Sequence, residues 1–147
     1  MSGEDWQMFA VIAAVALGGG LGSVARFWVS GVVAGRYGEI FPWGTLVVNV
    51  TGAAAIGVLA AALLAPDAQA PGTHVIAHPT LWAGLVVGFL GSYTTVSSFS
   101  LQTLALARSG ETGRALGNIA LSLGLCLAAA AGGWLATRHV LAAGLLP

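Results

Sequence analysis

The sequence predicts an all-α integral membrane protein that forms one transmembrane domain over residues 1–147. It has four transmembrane helices, the third of them broken at mid-membrane. Composition is the first support, because the chain is 57% hydrophobic and 7% charged, whereas soluble domains carry about 25% charged residues. The distribution of charge along the chain is the second support for this prediction. The five basic and five acidic residues leave four long uncharged stretches, at 6–25, 40–66, 68–107 and 115–137.

Each uncharged stretch is long enough for one membrane span, because crossing the hydrocarbon core takes about 20 apolar residues. The beginning of the third stretch, 68–79, is rich in Pro, Gly, Thr and His, which is typical of a loop. That stretch therefore holds one helix, and Pro42 fits the start of the preceding helix. The predicted spans are approximately 8–33, 43–65, 80–107 and 113–137.

The few charged residues balance each other, because the five basic and five acidic residues give a formal net charge of zero, and none of the basic residues is a lysine. A chain of this kind has no basic surface for nucleic acid. Loops after the first and third spans carry Arg36, Arg108 and Arg114, and the opposite side carries Arg138. This bias is slight under the positive-inside rule. It permits insertion in both orientations and hence an antiparallel homodimer; the alternative is a single orientation with the three arginines in the cytoplasm.

Glycine is abundant, with 22 residues, and some of it is spaced for close helix contacts. Lipid-facing surfaces do not need glycine, whereas close helix crossings do. The small-residue patterns are Gly18/Gly22, Gly84/Gly88 and Gly113/Gly117. Since four helices form a thin bundle whose polar groups must face something other than lipid, these patterns favour an oligomer.

A hydroxyl-rich run, Gly91 to Ser100, lies near the middle of the third span. Its serines and β-branched threonines make poor helix sequence. If the backbone leaves the helix there, its carbonyls need partners from protein, water or an ion, and such carbonyls suit a hard cation such as Na⁺. The alternative is that the hydroxyls bond to their own helix and only bend it. The residues themselves leave both interpretations open.

Other polar residues lie within or beside the predicted spans. Thr45 and Asn49 share one helical face at i, i+4 spacing; Asn49 either has a function or forms an interhelical hydrogen bond. Arg26, near the end of the first span, either extends to the headgroups or lines a vestibule that attracts anions. A weaker polar line in the fourth span consists of Asn118, Ser122 and Cys126.

Acidic residues, lysine and histidine are missing from the depth of every predicted span. Proton-coupled transporters usually keep a membrane carboxylate for the proton, whereas a passive pathway needs none. The sequence also lacks a nucleophile–base pair and a cluster of metal-ligand residues. We therefore do not expect an enzyme.

Three separated motifs resemble the Fluc (CrcB) family of fluoride channels in residue order and spacing. They are Gly-Gly-Gly-Leu-Gly-Ser-Val-Ala-Arg-Phe at 18–27, Phe-Pro-Trp-Gly-Thr-Leu-Val-Val-Asn-Val-Thr-Gly at 41–52, and Gly-Phe-Leu-Gly-Ser-Tyr-Thr-Thr-Val-Ser-Ser-Phe-Ser at 88–100. The resemblance covers nearly the whole chain and includes the plan of four spans.

This resemblance implies an antiparallel, dual-topology homodimer with two pores that let fluoride leave the cell passively across the inner or plasma membrane. It implies a structural, non-transported Na⁺ at the dimer centre, held by the backbone carbonyls of Gly91 and Thr94. It places Arg26 at the vestibule. The residues that it assigns to the fluoride pore are Asn49, Val96, Ser97, Ser98, Phe99, Asn118 and Ser122.

The sequence departs from the family pattern at Val96, where the family usually has an aromatic ring, and at Asn118, where it usually has a tyrosine. We expect a working pore with altered rate or anion recognition, and a heterodimer with a similar chain that supplies the missing ring is an alternative. Two other functions compete with a fluoride channel. They are a small dual-topology multidrug/proton exporter and a non-conducting membrane subunit.

Overall fold

The computed structural model describes residues 3–66, 74–76 and 78–144. This part of the chain contains four helical segments that are long and apolar enough to cross a membrane, as predicted. They are Gly3–Tyr37, Trp43–Leu63, Pro79–Arg108 and Thr112–Ala142. We call the first α1, the second α2 and the last α6; α1 and α6 both extend beyond the predicted spans.

The third segment is not one regular helix. It consists of α3 (Pro79–Trp82), a π-helix (Ala83–Leu90), α4 (Gly91–Tyr93) and α5 (Val96–Arg108). Between α4 and α5, Thr94 (φ −82°, ψ 160°) and Thr95 (φ −151°, ψ 120°) are extended. The departure from helical backbone is therefore shorter than the hydroxyl-rich run 91–100. The π-helix was not predicted, and such turns are rare and frequent at functional sites.

Glycines allow α1 to lie directly against the π-helix. A Cβ atom on Gly18 would meet the backbone carbonyl of Gly84, and one on Gly22 would meet that of Phe89. In return, a Cβ on Gly88 would lie 2.7 Å from the carbonyl oxygen of Val15. Two of the predicted small-residue patterns thus pack against each other within one chain, since backbones approach this closely only where side chains are missing.

The second helix pair, α2 and α6, uses glycines outside the predicted patterns. A Cβ on Gly57 would meet the carbonyl of Ala130, and one on Gly133 would lie 2.5 Å from the carbonyl oxygen of Ala54. The predicted Gly113/Gly117 pattern makes no comparable contact, because a Cβ on Gly113 would have no neighbour within 4 Å among the described residues. Within the described residues the apolar core is small and consists of Leu46, Val48, Ala61, Leu63, Ala83, Leu90 and Ala115.

Short connections join these helices at one end of the bundle. The chain turns after α1 at Gly38 (φ 75°) and after α5 at Gly110 (φ 84°), a left-handed conformation that favours glycine after a helix. At the other end α2 leads into β1 (Leu64–Pro66), which pairs antiparallel with β2 (His74–Ile76). The predicted loop 68–79 therefore includes a strand, and its residues 68–73 and 77 lie outside the described residues.

The outer surface of the bundle is apolar. Leu17 on α1 is 71% exposed and Leu127 on α6 is 69% exposed. Among the described residues, charged side chains lie at or near helix ends and in connections, apart from Arg26 within α1. A surface of this kind is suited to lipid or to another apolar chain.

Candidate functional site

The extended pair Thr94–Thr95 is held in place by a side chain from α2. Asn49 Nδ2 donates to the Thr95 carbonyl at 2.9 Å, and the Thr95 N–H donates to Asn49 Oδ1 at 2.8 Å. The amide thus takes the place of a neighbouring strand and satisfies both backbone groups of a residue outside any helix. Among the described residues one Nδ2 hydrogen of Asn49 has no acceptor, since the amide carries two donors and uses one here.

Thr95 also begins the next helix. Its Oγ1 accepts the Ser98 N–H at 3.2 Å, which is the N-cap arrangement that stabilises a helix start. The same Oγ1 lies 3.1 Å from Ser97 Oγ and donates to Ser98 Oγ at 3.2 Å. Because Thr95 has one hydroxyl hydrogen, Ser97 must be the donor in its pair. The hydrogen of Ser97 is therefore used, while that of Ser98 stays free to donate.

These bonds divert two amides from their helical acceptors. In a continuous helix the Thr95 N–H would bond to the carbonyl of Gly91, and the Ser98 N–H would bond to that of Thr94. Both N–H groups donate to side chains instead. The guanidinium of Arg26 donates to the Thr94 carbonyl at 3.5 Å. The carbonyls of Gly91 and Thr94, the two predicted Na⁺ ligands, are thus among the carbonyls that lose their helical donors where the helix restarts.

A second polar cluster joins α5 to α6. Asn118 Nδ2 donates to Thr103 Oγ1 at 2.8 Å, and Thr103 Oγ1 donates to the Phe99 carbonyl at 2.7 Å. Ser122 Oγ donates to Asn118 Oδ1 at 3.5 Å. Asn118 is 1% exposed and Ser122 is 8% exposed. This cluster also leaves one amide hydrogen of Asn118 unused, whereas the hydroxyl hydrogens of Thr103 and Ser122 are engaged.

A further hydroxyl pair joins α2 to Tyr93, the residue before the extended pair. Tyr93 Oη and Thr51 Oγ1 are 2.9 Å apart, and Thr51 donates to the Val47 carbonyl at 2.7 Å. Thr51 therefore accepts the tyrosine hydrogen, so the pair has only lone pairs left to offer. The ring of Tyr93 stacks on Phe89, with centroids 6.0 Å apart.

A cavity of about 640 Å³ leads from one end of the bundle to Ser98. Ser98, Gln102, Ala105 and Leu106 of α5 line it together with Ser109, the residue after the helix, and the stretch from Ser98 to Ser109 spans about 16 Å along a helix axis. The facing wall comes from the second half of α1, the connection to α2 and the first turn of α2, including Thr45. The cavity therefore extends along α5 from the connections at one end of the bundle to Ser98, three residues after Thr95.

The structure brings some of the predicted site residues together in two clusters and leaves the others apart. Asn49, Ser97 and Ser98 meet around Thr95, and Asn118 and Ser122 meet around Thr103. Arg26 contacts the Thr94 carbonyl and does not contribute to the lining of the cavity. Gly91 is exposed and Phe99 is half-buried. Val96 is 76% exposed.

Sequence reasoning did not single out Thr95, Thr103 or Gln102. Thr95 has a signal in the sequence, because a threonine immediately before the first residue of a helix is a candidate N-cap. The contact of Thr103 with Asn118 has no such signal, since it depends on how α5 and α6 align. Gln102 lines the cavity, and its Oε1 is a buried atom without a hydrogen-bond partner among the described residues.

Comparison with known proteins gives one family and several close relatives. Residues 13–134 match the family described as CrcB-like protein, Camphor Resistance (CrcB). A Bradyrhizobium diazoefficiens protein named fluoride-specific ion channel FluC 2 is 52% identical over 133 residues, which is 90% of this chain and 93% of the relative. A protein of the same name from Rhodopseudomonas palustris is 57% identical over 124 residues, covering 84% and 90%. Fluoride-specific ion channel FluC of Opitutus terrae is 52% identical over 135 residues, covering 89% and 91%.

Proposed function

This chain belongs to the CrcB family of multi-pass membrane proteins, and on that premise we propose that it is a fluoride-specific channel. Its relatives are named as ion channels and not as enzymes, so the prediction that the chain is not an enzyme is confirmed. In the proposed function, fluoride leaves the cell passively through the inner or plasma membrane, and cytoplasmic fluoride falls.

The unused hydrogen-bond donors of the two polar clusters carry this proposal. Fluoride is small and strongly hydrated, and removing its water without replacement is prohibitive. Asn49 and Asn118 each keep one free amide hydrogen, and Ser98 keeps a free hydroxyl hydrogen at the end of the cavity. Such donors can replace water around the anion step by step.

The positions of the acidic residues support a passive pathway rather than a proton-coupled exporter. Glu4 and Asp5 lie in the first turn of α1, and Glu111 precedes α6. Glu39 lies in the connection after α1, and Asp67 lies between the second and third helices in the sequence. None of the four acidic residues that the structure describes is placed in the middle of a span, where a proton carrier would be needed.

We further propose a structural Na⁺ held by the carbonyls of Gly91 and Thr94. Their chemistry fits, because backbone carbonyls are suitable ligands for a hard cation and the helical donors of these two are diverted to side chains. The bound cation would fix the extended residues and add positive charge near the pathway. Arg26, which donates to the Thr94 carbonyl, would share that carbonyl with the ion.

An antiparallel homodimer is the assembly that we propose. Thr51 is exposed in the single chain and Tyr93 is half-buried, although both are polar and belong to membrane-spanning segments. Polar groups at that depth need a partner other than lipid, and a second copy supplies one. The slight arginine bias of the loops allows the two copies to insert in opposite orientations.

The test is fluoride efflux from liposomes that contain the purified protein, recorded with a fluoride electrode. We expect rapid fluoride release and little chloride release. Absence of efflux would favour a non-conducting subunit, and efflux that depends on a proton gradient would favour an exporter. Chloride release as fast as fluoride release would contradict fluoride specificity.

A further inference from the structure

We propose that Tyr93 is a positioning residue for the structural cation, because its hydroxyl anchors the last residue of α4 to α2 just before the backbone leaves the helix. The proposal rests on the Na⁺ site proposed above and adds a residue that does not itself bind the ion. In the sequence Tyr93 is only one member of the hydroxyl-rich run 91–100, whereas the structure gives it a bond to a second helix.

The hydroxyl of Tyr93 has a fixed partner on α2. Its Oη lies 2.9 Å from Thr51 Oγ1, and Thr51 uses its own hydrogen for the carbonyl of Val47 at 2.7 Å. Tyr93 is therefore the donor, and its acceptor is a side chain that is itself bonded to its own helix. The ring of Tyr93 also stacks on Phe89, with centroids 6.0 Å apart. The orientation of the ring is thus set by a directional bond as well as by packing.

A close approach at Gly52 brings the end of α4 onto α2. A Cβ atom on Gly52 would meet the methyl group of Thr94 and would lie 3.3 Å from the ring of Tyr93. Tyr93 is bonded to α2 through its hydroxyl, and Thr95 is bonded to Asn49 of the same helix. The three consecutive residues are therefore all held against α2.

The carbonyl of Thr94, one of the two proposed Na⁺ ligands, takes its direction from these neighbours. It belongs to the same planar peptide unit as the Thr95 N–H, and in a trans peptide the two groups point in opposite directions. Because the Thr95 N–H donates to Asn49 Oδ1 at 2.8 Å, the carbonyl points away from that amide. Tyr93 fixes the residue before Thr94, so the position of this carbonyl is constrained from both sides.

Packing alone does not require a tyrosine at this position. Phenylalanine would stack on Phe89 and would carry no hydroxyl into a membrane-spanning segment, where an unpaired polar group costs free energy. The bond to Thr51 offsets that cost and adds what an apolar contact lacks, a preferred distance and direction. A pair of carbonyls that binds a hard cation needs such precision, because hard cations bind oxygen ligands at short, well-defined distances.

The test is thermal unfolding in detergent at increasing NaCl, after removal of Na⁺ by dialysis, with the chloride of a bulky organic cation keeping the ionic strength constant. We expect Na⁺ to raise the unfolding midpoint of the unmodified protein. Tyr93→Phe keeps the ring and removes the bond. It should shift the curve of midpoint against Na⁺ concentration about fivefold toward higher Na⁺, as for one lost hydrogen bond. Fluoride efflux from liposomes should fall in this variant at low Na⁺ and recover at high Na⁺.

Tyr37→Phe is the matched control. It makes the same chemical change at the end of α1, where the side chain is 66% exposed, and should not shift the curve. Thr51→Ser keeps the acceptor and should also leave the curve in place, whereas Thr51→Val should shift it. Because both partners serve one bond, the double variant Thr51→Val with Tyr93→Phe should shift the curve no further than the larger single change.

Three results would overturn the role of Tyr93. They are a midpoint that Tyr93→Phe lowers equally at every Na⁺ concentration, an equal shift in Tyr37→Phe, and additive shifts in the double variant. If Na⁺ fails to stabilise an unmodified protein that does release fluoride, the Na⁺ site and the role of Tyr93 are both wrong while the channel function stands. Absence of efflux from an unmodified protein that Na⁺ does stabilise would refute the channel function alone.

Discussion

Two asparagines anchor the two polar clusters of this protein, and they do so in different ways. Asn49 binds the backbone of an extended residue, with one bond to the carbonyl of Thr95 and one from its N–H. Asn118 binds side chains between two regular helices, at Thr103 and Ser122. Each amide uses one Nδ2 hydrogen and keeps the other.

The two asparagines differ in which hydrogen-bonding groups would lose their partners if the side chain were removed. Without Asn49, the N–H and the carbonyl of Thr95 both lose their bonds to it, and nothing in the helix replaces the N–H partner. Without Asn118, Thr103 keeps its bond to the Phe99 carbonyl and the Ser122 hydroxyl can rotate toward its own helix. In the proposed channel the first cluster would therefore join backbone conformation to anion binding, whereas the second would contribute to anion binding alone.

Asn49→Ala should have the largest effect. We expect fluoride efflux to fall by about a hundredfold or more, because a donor to the ion and the conformation of Thr95 are lost together. The unfolding midpoint should also fall, since each unsatisfied buried backbone group costs about 1–3 kcal/mol. Liposome efflux and thermal unfolding in detergent measure the two effects.

Asn118→Ala is the matched comparison, because it makes the same chemical change in the other cluster. Efflux should fall about tenfold, as for one lost hydrogen bond to an ion, and the unfolding midpoint should fall less than in Asn49→Ala. A greater loss of stability in Asn118→Ala than in Asn49→Ala would contradict the distinction between the clusters.

Thr95→Val should have the next largest effect, and it tests whether the cap belongs to the pathway. Valine has a similar shape but leaves the Ser98 N–H and the Ser97 hydroxyl without their partner. Loss of a cap costs about 1 kcal/mol. We expect efflux to fall about tenfold, because the Ser98 hydroxyl is no longer oriented, an effect equal to about 1.4 kcal/mol. Thr95→Ser keeps the oxygen and should restore most of the efflux; equal losses in both variants would remove the hydroxyl from the argument.

The four spans could be predicted because charge is excluded from them, and this signal does not depend on how the helices pack. The course of the third segment was harder to predict. Its hydroxyl-rich run extends over 91–100, yet only Thr94 and Thr95 leave the helical conformation. The cap on Thr95 restarts the helix at once. Thr94 meanwhile donates from its hydroxyl to the Leu90 carbonyl at 2.9 Å. The backbone thus leaves the helical conformation at Thr95, whereas the hydroxyl of the neighbouring Thr94 bonds to its own helix. The depth of these residues in the bilayer stays a prediction.

The candidate site was predictable where a residue type is unusual for its surroundings. Asn49 is an amide in an apolar helix, and such a group needs partners wherever it lies. Thr103 could not be found in this way, because its bond to Asn118 depends on the turn at Gly110 and on the alignment of α5 with α6. Gln102 follows the hydroxyl-rich run by two residues and lines the cavity. The sequence does not reveal this placement, because a single glutamine after the run looks like any other polar residue of a helix.

Val96→Phe should have the smallest effect, and it tests whether the donors of the two clusters account for all of the anion recognition. Val96 belongs to neither cluster and is 76% exposed, so a ring fits there without a clash inside the chain. Ring edges carry positive charge that can meet an anion. We expect the fluoride-to-chloride selectivity to rise by about two- to fivefold, equal to about 0.5–1 kcal/mol, with an unchanged unfolding midpoint. Val96→Leu adds bulk without a ring and should leave selectivity unchanged. If the leucine and phenylalanine variants rise equally, volume and not the ring is responsible, and if neither rises, the amide and hydroxyl donors are sufficient without a second ring.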